Sequence, residues 1–272
     1  SVASQAIYSG LAIGIGDYIY YGEEGDLLAP PYDVDRMQEM WSDCQFSPGS
    51  ISFSNIQSLT NQSATKSAIL QKIQSTFSGA NENSISYFYY SGHGTTYDGI
   101  SYLCPADFDG YVSQGISVDE LEAALSAIPG TKVILLDTCH SGGFIGKSDS
   151  DYGTNSSSDE IEIFNQSVIS TFSGTFSKDL LTGNDYKVLT SSHWFQESYE
   201  FQPENEDPYG VFTQALYEGC SLSTDLPADT NQNDQVSLQE AYDFATQWVW
   251  ALRVNQDVQV YPLNSNFTIF EY

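Results

Sequence analysis

Basic residues are what this 272-residue chain has least of: 8 Lys and Arg stand against 36 Asp and Glu, for a formal charge of −28. Gripping a phosphate backbone takes clustered cations, so nucleic acid is not an expected partner, and an anionic membrane surface is disfavoured for the same reason. The charge favours cationic partners instead, either calcium or basic side chains on other proteins. Long apolar runs are also missing. The longest stretches, Leu11–Ile15 and Val133–Leu136, fall far short of the ~18 residues a membrane span needs. Cysteine is scarce as well: Cys44, Cys104, Cys139 and Cys220 are scattered without a CxxC pair, which excludes a disulfide-dense scaffold. The chain opens on Ser1 with no basic leader, and it reads as a mature chain expected to be secreted or extracytoplasmic.

What is present is the composition of a packed globule, with 40% hydrophobic and 14% aromatic residues. Apolar runs at Tyr8–Gly16, Ile51–Leu59, Ile85–Tyr90, Lys132–Asp137, Tyr186–Ser191 and Phe267–Phe270 read as strands. Helical spacing marks Asp33–Asp43, Ser63–Phe77, the stretch after Ser117, Gly210–Gly219 and Leu238–Leu252. Strands alternating with helices predict an α/β domain over 1–272: a mostly parallel sheet of about six strands with helices on both faces. Residues 144–186 are rich in Ser, Gly, Asp and Asn and read as a mobile insertion.

Sites in such sheets lie beyond the carboxyl ends of strands. Two predicted core strands run into reactive residues there. One leads into Ser91-Gly92-His93-Gly94, the other into Asp137-Thr138-Cys139-His140-Ser141-Gly142-Gly143. A thiol becomes a competent nucleophile as thiolate, and a nearby imidazole makes it one. Flanking glycines let a substrate backbone approach and leave amide N–H groups open to an oxyanion. His93 and Cys139 are therefore the expected catalytic pair. His140 follows Cys139 directly and is read as structural.

A third pattern lies near the C-terminus. Asp229, Asn231, Asn233, Gln235 (through its carbonyl), Ser237 and Glu240 fall on the ligand positions of an EF-hand loop over 229–240. Asp234 stands where that loop requires Gly, and Pro227 leaves no entering helix. Calcium is the cofactor this pattern suggests, and a plain polar turn is the competing reading.

YYSGHG at 89–94 and LLDTCHSGG at 135–143 resemble the caspase-like cysteine peptidases, in particular metacaspases and their bacterial relatives. The likeness extends to LAIGIGDY at 11–18, LLAPPYDVDRM at 27–37, SSHWFQESYE at 191–200 and YGVFTQAL at 209–216. The resemblance implies the caspase-haemoglobinase fold and an oxyanion held by the N–H groups of Gly94 and Cys139. It also implies an acidic pocket from Asp33, Ser91 and Asp137, hence cleavage after Arg or Lys, although Pro30 stands where some metacaspases carry a pocket cysteine. Two carboxylates facing a guanidinium are a strong recognition pair. An ordinary helix N-cap is the competing reading of Asp33. The family's activating calcium, near the nucleophile, maps loosely onto Asp107, Asp109, Asp119 and Asp149. Its self-processing maps onto Lys147 and Lys178. The expected partners are polypeptides carrying basic residues. Oligomeric state is open between the caspase edge-strand dimer and the metacaspase monomer, and a monomer is the expectation. Two other readings keep the fold: a peptidase with Asp or Asn specificity, and a catalytically silent, secreted calcium-binding module.

Overall fold

The computed structural model describes residues 5–98, 100–140, 168–172, 185–191, 200–254 and 256–272, with the backbone alone at Cys139 and His140. Twelve strands and five α-helices have their bounds among these residues, beside a further helical stretch at 168–172. The strands are β1 (Tyr8–Gly14), β2 (Phe53–Thr60), β3 (Ile85–Tyr97), β4 (Ile100–Leu103), β5 (Ile116–Ser117), β6 (Thr131–His140), β7 (Tyr186–Thr190), β8 (Glu200–Phe201), β9 (Tyr209–Gly210), β10 (Gln235–Ser237), β11 (Gln259–Tyr261) and β12 (Thr268–Glu271). The helices are α1 (Pro30–Asp43), α2 (Lys66–Thr76), α3 (Val118–Ser126), α4 (Val211–Cys220) and α5 (Leu238–Ala251).

The central sheet runs β11-β7-β6-β3-β1-β2, with β4 and β5 attached to the far end of β3. From β2 to β7 every pairing along that path is parallel, and β11 joins β7 antiparallel. This is the mostly parallel sheet predicted from the alternation of strands and helices. Strand side chains alternate between faces. Tyr87, Tyr89, Val133, Leu135 and Leu189 accordingly lie in one apolar core with residues of α1, α4 and α5, including Met37, Trp41, Phe212 and Ala245. Phe88, Tyr90, Ile134, Leu136 and Val188 lie in a second core with Ile69 and Ile73 of α2 and Leu121 and Leu125 of α3. Burial on both faces makes these strands read as continuous apolar runs.

Helix starts follow the capping residues. Thr65, Ser117 and Ser237 each accept a hydrogen bond from the amide three residues on. Helix α1 begins earlier than its apolar spacing predicted. Pro30 and Pro31 occupy its first turn, where the missing N–H of proline costs no helical bond. Asp33 therefore lies inside the first turn and is not the N-cap; Ala29 is.

The terminal strand predicted at Phe267–Phe270 appears as β12, but it pairs with β10 in a separate two-stranded sheet. Most of the 144–186 segment, Lys147, Asp149 and Lys178 included, lies outside the described residues. Within it, Val168 and Phe172 belong to a helical stretch and are buried in the second core, and Tyr186 opens β7. Among the described residues no helix is long and apolar enough to cross a membrane.

Candidate active site

The reactive residues belong to the strands themselves, His93 four residues before the end of β3 and Cys139 one before the last residue of β6. Strand β3 continues through Ser91-Gly92-His93-Gly94, and β6 continues through Cys139 and His140. The parallel ladder between them is unbroken from Ile85↔Thr131 to Gly94↔His140, because glycine and histidine offer it the same backbone groups as any residue. In this register His93 stands directly opposite Cys139, and Ser91 opposite Asp137.

His93 is buried and held from several sides. Its backbone N–H donates to the Tyr18 hydroxyl at 2.7 Å, and its carbonyl accepts from the Tyr90 hydroxyl at 2.7 Å. The Tyr18 ring lies 4.8 Å from the imidazole, centroid to centroid. Imidazole Nε2 sits 2.9 Å from the Gly25 carbonyl. A carbonyl can only accept, so Nε2 carries a proton there; in the neutral ring Nδ1 is then the basic nitrogen. Sequence reasoning named no residue that orients His93, and the Gly25 carbonyl fills that place. A backbone acceptor leaves no side-chain signal in a sequence. Gly92 is required because a Cβ there would come 2.8 Å from the Tyr90 hydroxyl and 2.9 Å from that of Tyr18.

The predicted pocket residues come together. Asp33 on α1 is 0% exposed and Asp137 on β6 is 1% exposed. Ser91 donates to Asp33 Oδ2 at 3.0 Å. The Gly210 N–H donates to Asp33 Oδ1 at 3.0 Å. Asp137 Oδ2 accepts from the Thr213 amide at 3.0 Å and from its hydroxyl at 2.7 Å, and Oδ1 accepts from Ser191 at 3.2 Å. The two carboxylates converge on Gly210, where a Cβ would come within 2.5 Å of Asp137 Oδ2 and 2.7 Å of Asp33 Oδ2. Burial drives the Asp33 carboxyl well above the ordinary carboxylate range, and the neighbouring Asp137 adds to the rise. Bonds from Gly210 and Ser91 and the charge of Arg36 pull it back in part.

Sequence reasoning missed the helpers. Glu200 accepts from the amides of Leu28 and Ala29 at 2.8 and 2.9 Å, capping α1 just before Asp33. Thr213 opens α4 where its hydroxyl reaches Asp137, and its other neighbour is Tyr89, at 2.6 Å. The other three cysteines are buried free thiols. Burial pushes Cys44 up to about 12 and raises Cys104 and Cys220 as well.

The predicted calcium residues divide into two groups. In the 229–240 loop, Asp234 takes the left-handed φ of 61° that the Gly position demands. Asp229 accepts from the amides of Asn233 and Asp234. Glu240 accepts from Thr230, Asn231 and Ser237. Burial alone would raise the Glu240 carboxyl, but the bonds from Ser237 and Thr230 outweigh it and hold it below its ordinary range. Gln235 and Ser237 lie on β10, and Ser237 caps α5. In the second group Asp149 lies outside the described residues, and the other three each have a partner of their own. Asp107 accepts from the Lys66 amide, Asp109 from that of Tyr111, and Asp119 from the Thr171 hydroxyl. Among the described residues no three His, Cys, Asp or Glu side chains are grouped to hold a metal ion.

Residues 9–249 match the family model of the caspase domain. The crystal structure of protein GSU0716 from Geobacter sulfurreducens is similar over 94% of this chain and 92% of its own, with a TM-score of 0.57 at 18% identity. The Drosophila initiator caspase Dronc is similar over 97% of this chain and 82% of its own, with a TM-score of 0.53 at 9% identity. At such identities the likeness is one of fold. No curated protein sequence matches the chain.

Proposed function

The chain belongs to the caspase-domain family, and from that premise we propose that it is a cysteine endopeptidase cleaving after Arg or Lys. The observation that carries this reading is the register of β3 and β6, which sets His93 opposite Cys139 and, two residues earlier, Ser91 opposite Asp137. Nucleophile, base and pocket acid are thus steps along one ladder.

In the proposed reaction the Gly25 carbonyl keeps the proton on Nε2 of His93, so Nδ1 takes the proton of Cys139. The thiolate attacks the scissile carbonyl, and the amides of Gly94 and Cys139 receive the developing oxyanion. His93 returns its proton to the leaving amine. Water, deprotonated by the same ring, hydrolyses the thioester and frees Cys139. Asp33 and Asp137 take the cationic side chain that precedes the scissile bond. Ser91, Thr213 and Ser191 orient their oxygens.

The test is hydrolysis of paired fluorogenic peptides ending in Arg, Lys, Asp or Asn, beside a Cys139→Ala control. Cleavage of Arg and Lys peptides alone, lost in the control, supports the reading. Cleavage after Asp or Asn keeps the nucleophile and removes the pocket assignment. No cleavage, with Cys139 inert to alkylation, moves the chain to the silent binding module.

We further propose that the 229–240 loop takes calcium through Asp229, Asn231, Asn233, the Gln235 carbonyl, Ser237 and Glu240. These are oxygen donors of the kind a hard cation selects, and Asp234 already supplies the turn. The ion would cross-link loop and helix α5. Calorimetric titration with calcium tests this; no heat, or heat unchanged in Asp229→Asn, overturns it. Self-processing after Lys147 or Lys178 is the remaining proposal. Mass spectrometry of incubated enzyme should show new termini at those bonds, absent in Cys139→Ala; an intact chain from active enzyme overturns it.

A further inference from the structure

Arg36 is one of only two arginines in the chain and is three-quarters or more covered, its side chain 16% exposed. Its guanidinium has three partners. Nη1 lies 3.6 Å from Asp33 Oδ1 and donates to the Pro208 carbonyl at 3.0 Å; Nη2 donates to the Asp207 carbonyl at 3.3 Å. The Tyr209 ring lies 6.0 Å from its centre. Arg36 thus joins the buried pocket acid to the residues leading into Gly210, which stands against both carboxylates.

We propose that Arg36 is a specificity-positioning residue, the fixed counter-charge that lets Asp33 act as an anion toward an incoming basic side chain. This rests on the basic-pocket reading above. The argument is one of charge. Among the described residues, the groups facing Asp33 are Asp137 from β6, Tyr89 and Ser91 from β3, the Gly210 amide from β9 and Arg36 from its own helix. Glu200 of β8 acts on the same site through Asp137. The only cation in this set is Arg36. With both ionised, Asp33 and Asp137 together with Arg36 carry a single net negative charge, matched to one ammonium or guanidinium from substrate, while Glu200 is held by the amides of Leu28 and Ala29. Without Arg36, an entering cation would have to ionise Asp33 against the charge of Asp137 alone.

The test is binding of agmatine, a small guanidinium amine, to full-length Cys139→Ala protein across pH, which separates the pocket from the reaction. Arg36→Gln should weaken agmatine about tenfold on the acid side, with recovery as pH rises, because an opposite charge at this distance shifts a carboxyl by about one unit or more. Arg36→Lys, which keeps the charge and loses the fork, should restore most of the affinity. In an Asp33→Asn background, Arg36→Gln should change nothing further. A role confined to fastening the 207–210 segment predicts a loss that does not depend on pH and persists in Asp33→Asn; either result overturns the inference. Failure of agmatine to bind protein with Arg36 intact would instead overturn the basic-pocket reading beneath it. If Arg36→Gln does not fold, Arg36→Lys decides alone: affinity close to that of Arg36 supports the charge role, and a loss equal at every pH overturns it.

Discussion

A carboxyl buried beside another carboxyl is comfortable as an acid and costly as an anion. Asp33 is in that position, and its sign can be worked through. Its folded value lies above its unfolded one, so the folded state holds more protons between the two. Its contribution to stability is complete below the unfolded value, near 4, and is lost as pH rises through the raised one. Asn does not titrate. Asp33→Asn should therefore stabilise the fold more at about pH 8 than at about pH 5, by roughly 1 kcal/mol or more at the upper end, while weakening the binding of basic ligands without abolishing it. Equal effects at both pH values would mean that Asp33 is already ionised in the free protein. The thiols offer a second residue-scale prediction. Cys44 is buried, pushed up to about 12 and turned onto the Met40 carbonyl, and Cys104 and Cys220 are buried too. Iodoacetamide at neutral pH should label Cys139 and leave these three untouched, since the thiolate is the reacting species. Peptide mapping reads it directly, and label on Cys44 in folded protein would contradict it.

Among the elements, the β8–β9 pair does the most with the fewest residues. Glu200 caps α1, and Gly210 donates to Asp33 from 177 positions further along the chain. A methyl at Gly210 would collide with both carboxylates, whose backbones are fixed in a helix and a central strand. Gly210→Ala should cost about 1–3 kcal/mol of stability and reduce cleavage after Arg and Lys at least about tenfold, chiefly through KM. A variant with wild-type KM would show that the collision is relieved away from the pocket. This same element marks where sequence legibility ended. Strands β1, β3, β6 and β7 were readable because burial on both faces writes an apolar run. Helices α2, α3 and α5 were readable from their apolar residues, and α3 also from the Ser117 cap. Asp33, Ser91 and Asp137 were reached through resemblance to a family. Their spacing along the chain does not announce that they meet. The starts and stops misled where glycine and proline were taken as punctuation: Pro30-Pro31 opens α1, and Gly92 lies within β3. Tyr18, Gly25, Ser191, Thr213 and Arg36 escaped notice because their partners are non-local or are backbone atoms, and neither leaves a periodic trace.

At the scale of the whole molecule the governing quantity is the charge of −28. The described ion pairs consume little of it: Arg36 with Asp33, and Lys66 with Glu120. The rest surrounds the chain with a negative potential that draws cationic peptides toward any site on it. Mobile ions screen such a field over about 10 Å at 0.1 M salt, whereas the buried contacts of Asp33 and Asp137 are screened far less. Encounter and chemistry should therefore separate in a salt titration. Between about 20 mM and about 300 mM NaCl, kcat/KM for a peptide with Arg before the scissile bond and a net positive charge should fall several-fold while kcat holds nearly constant. A peptide with the same Arg flanked by glutamates is repelled at long range and served by the same pocket, so its kcat/KM should rise over the same interval. Opposite slopes would assign the salt effect to the field of the whole protein. Parallel slopes would assign it to the fold or to the Cys139–His93 reaction, and the acidic composition would then bear on solubility alone.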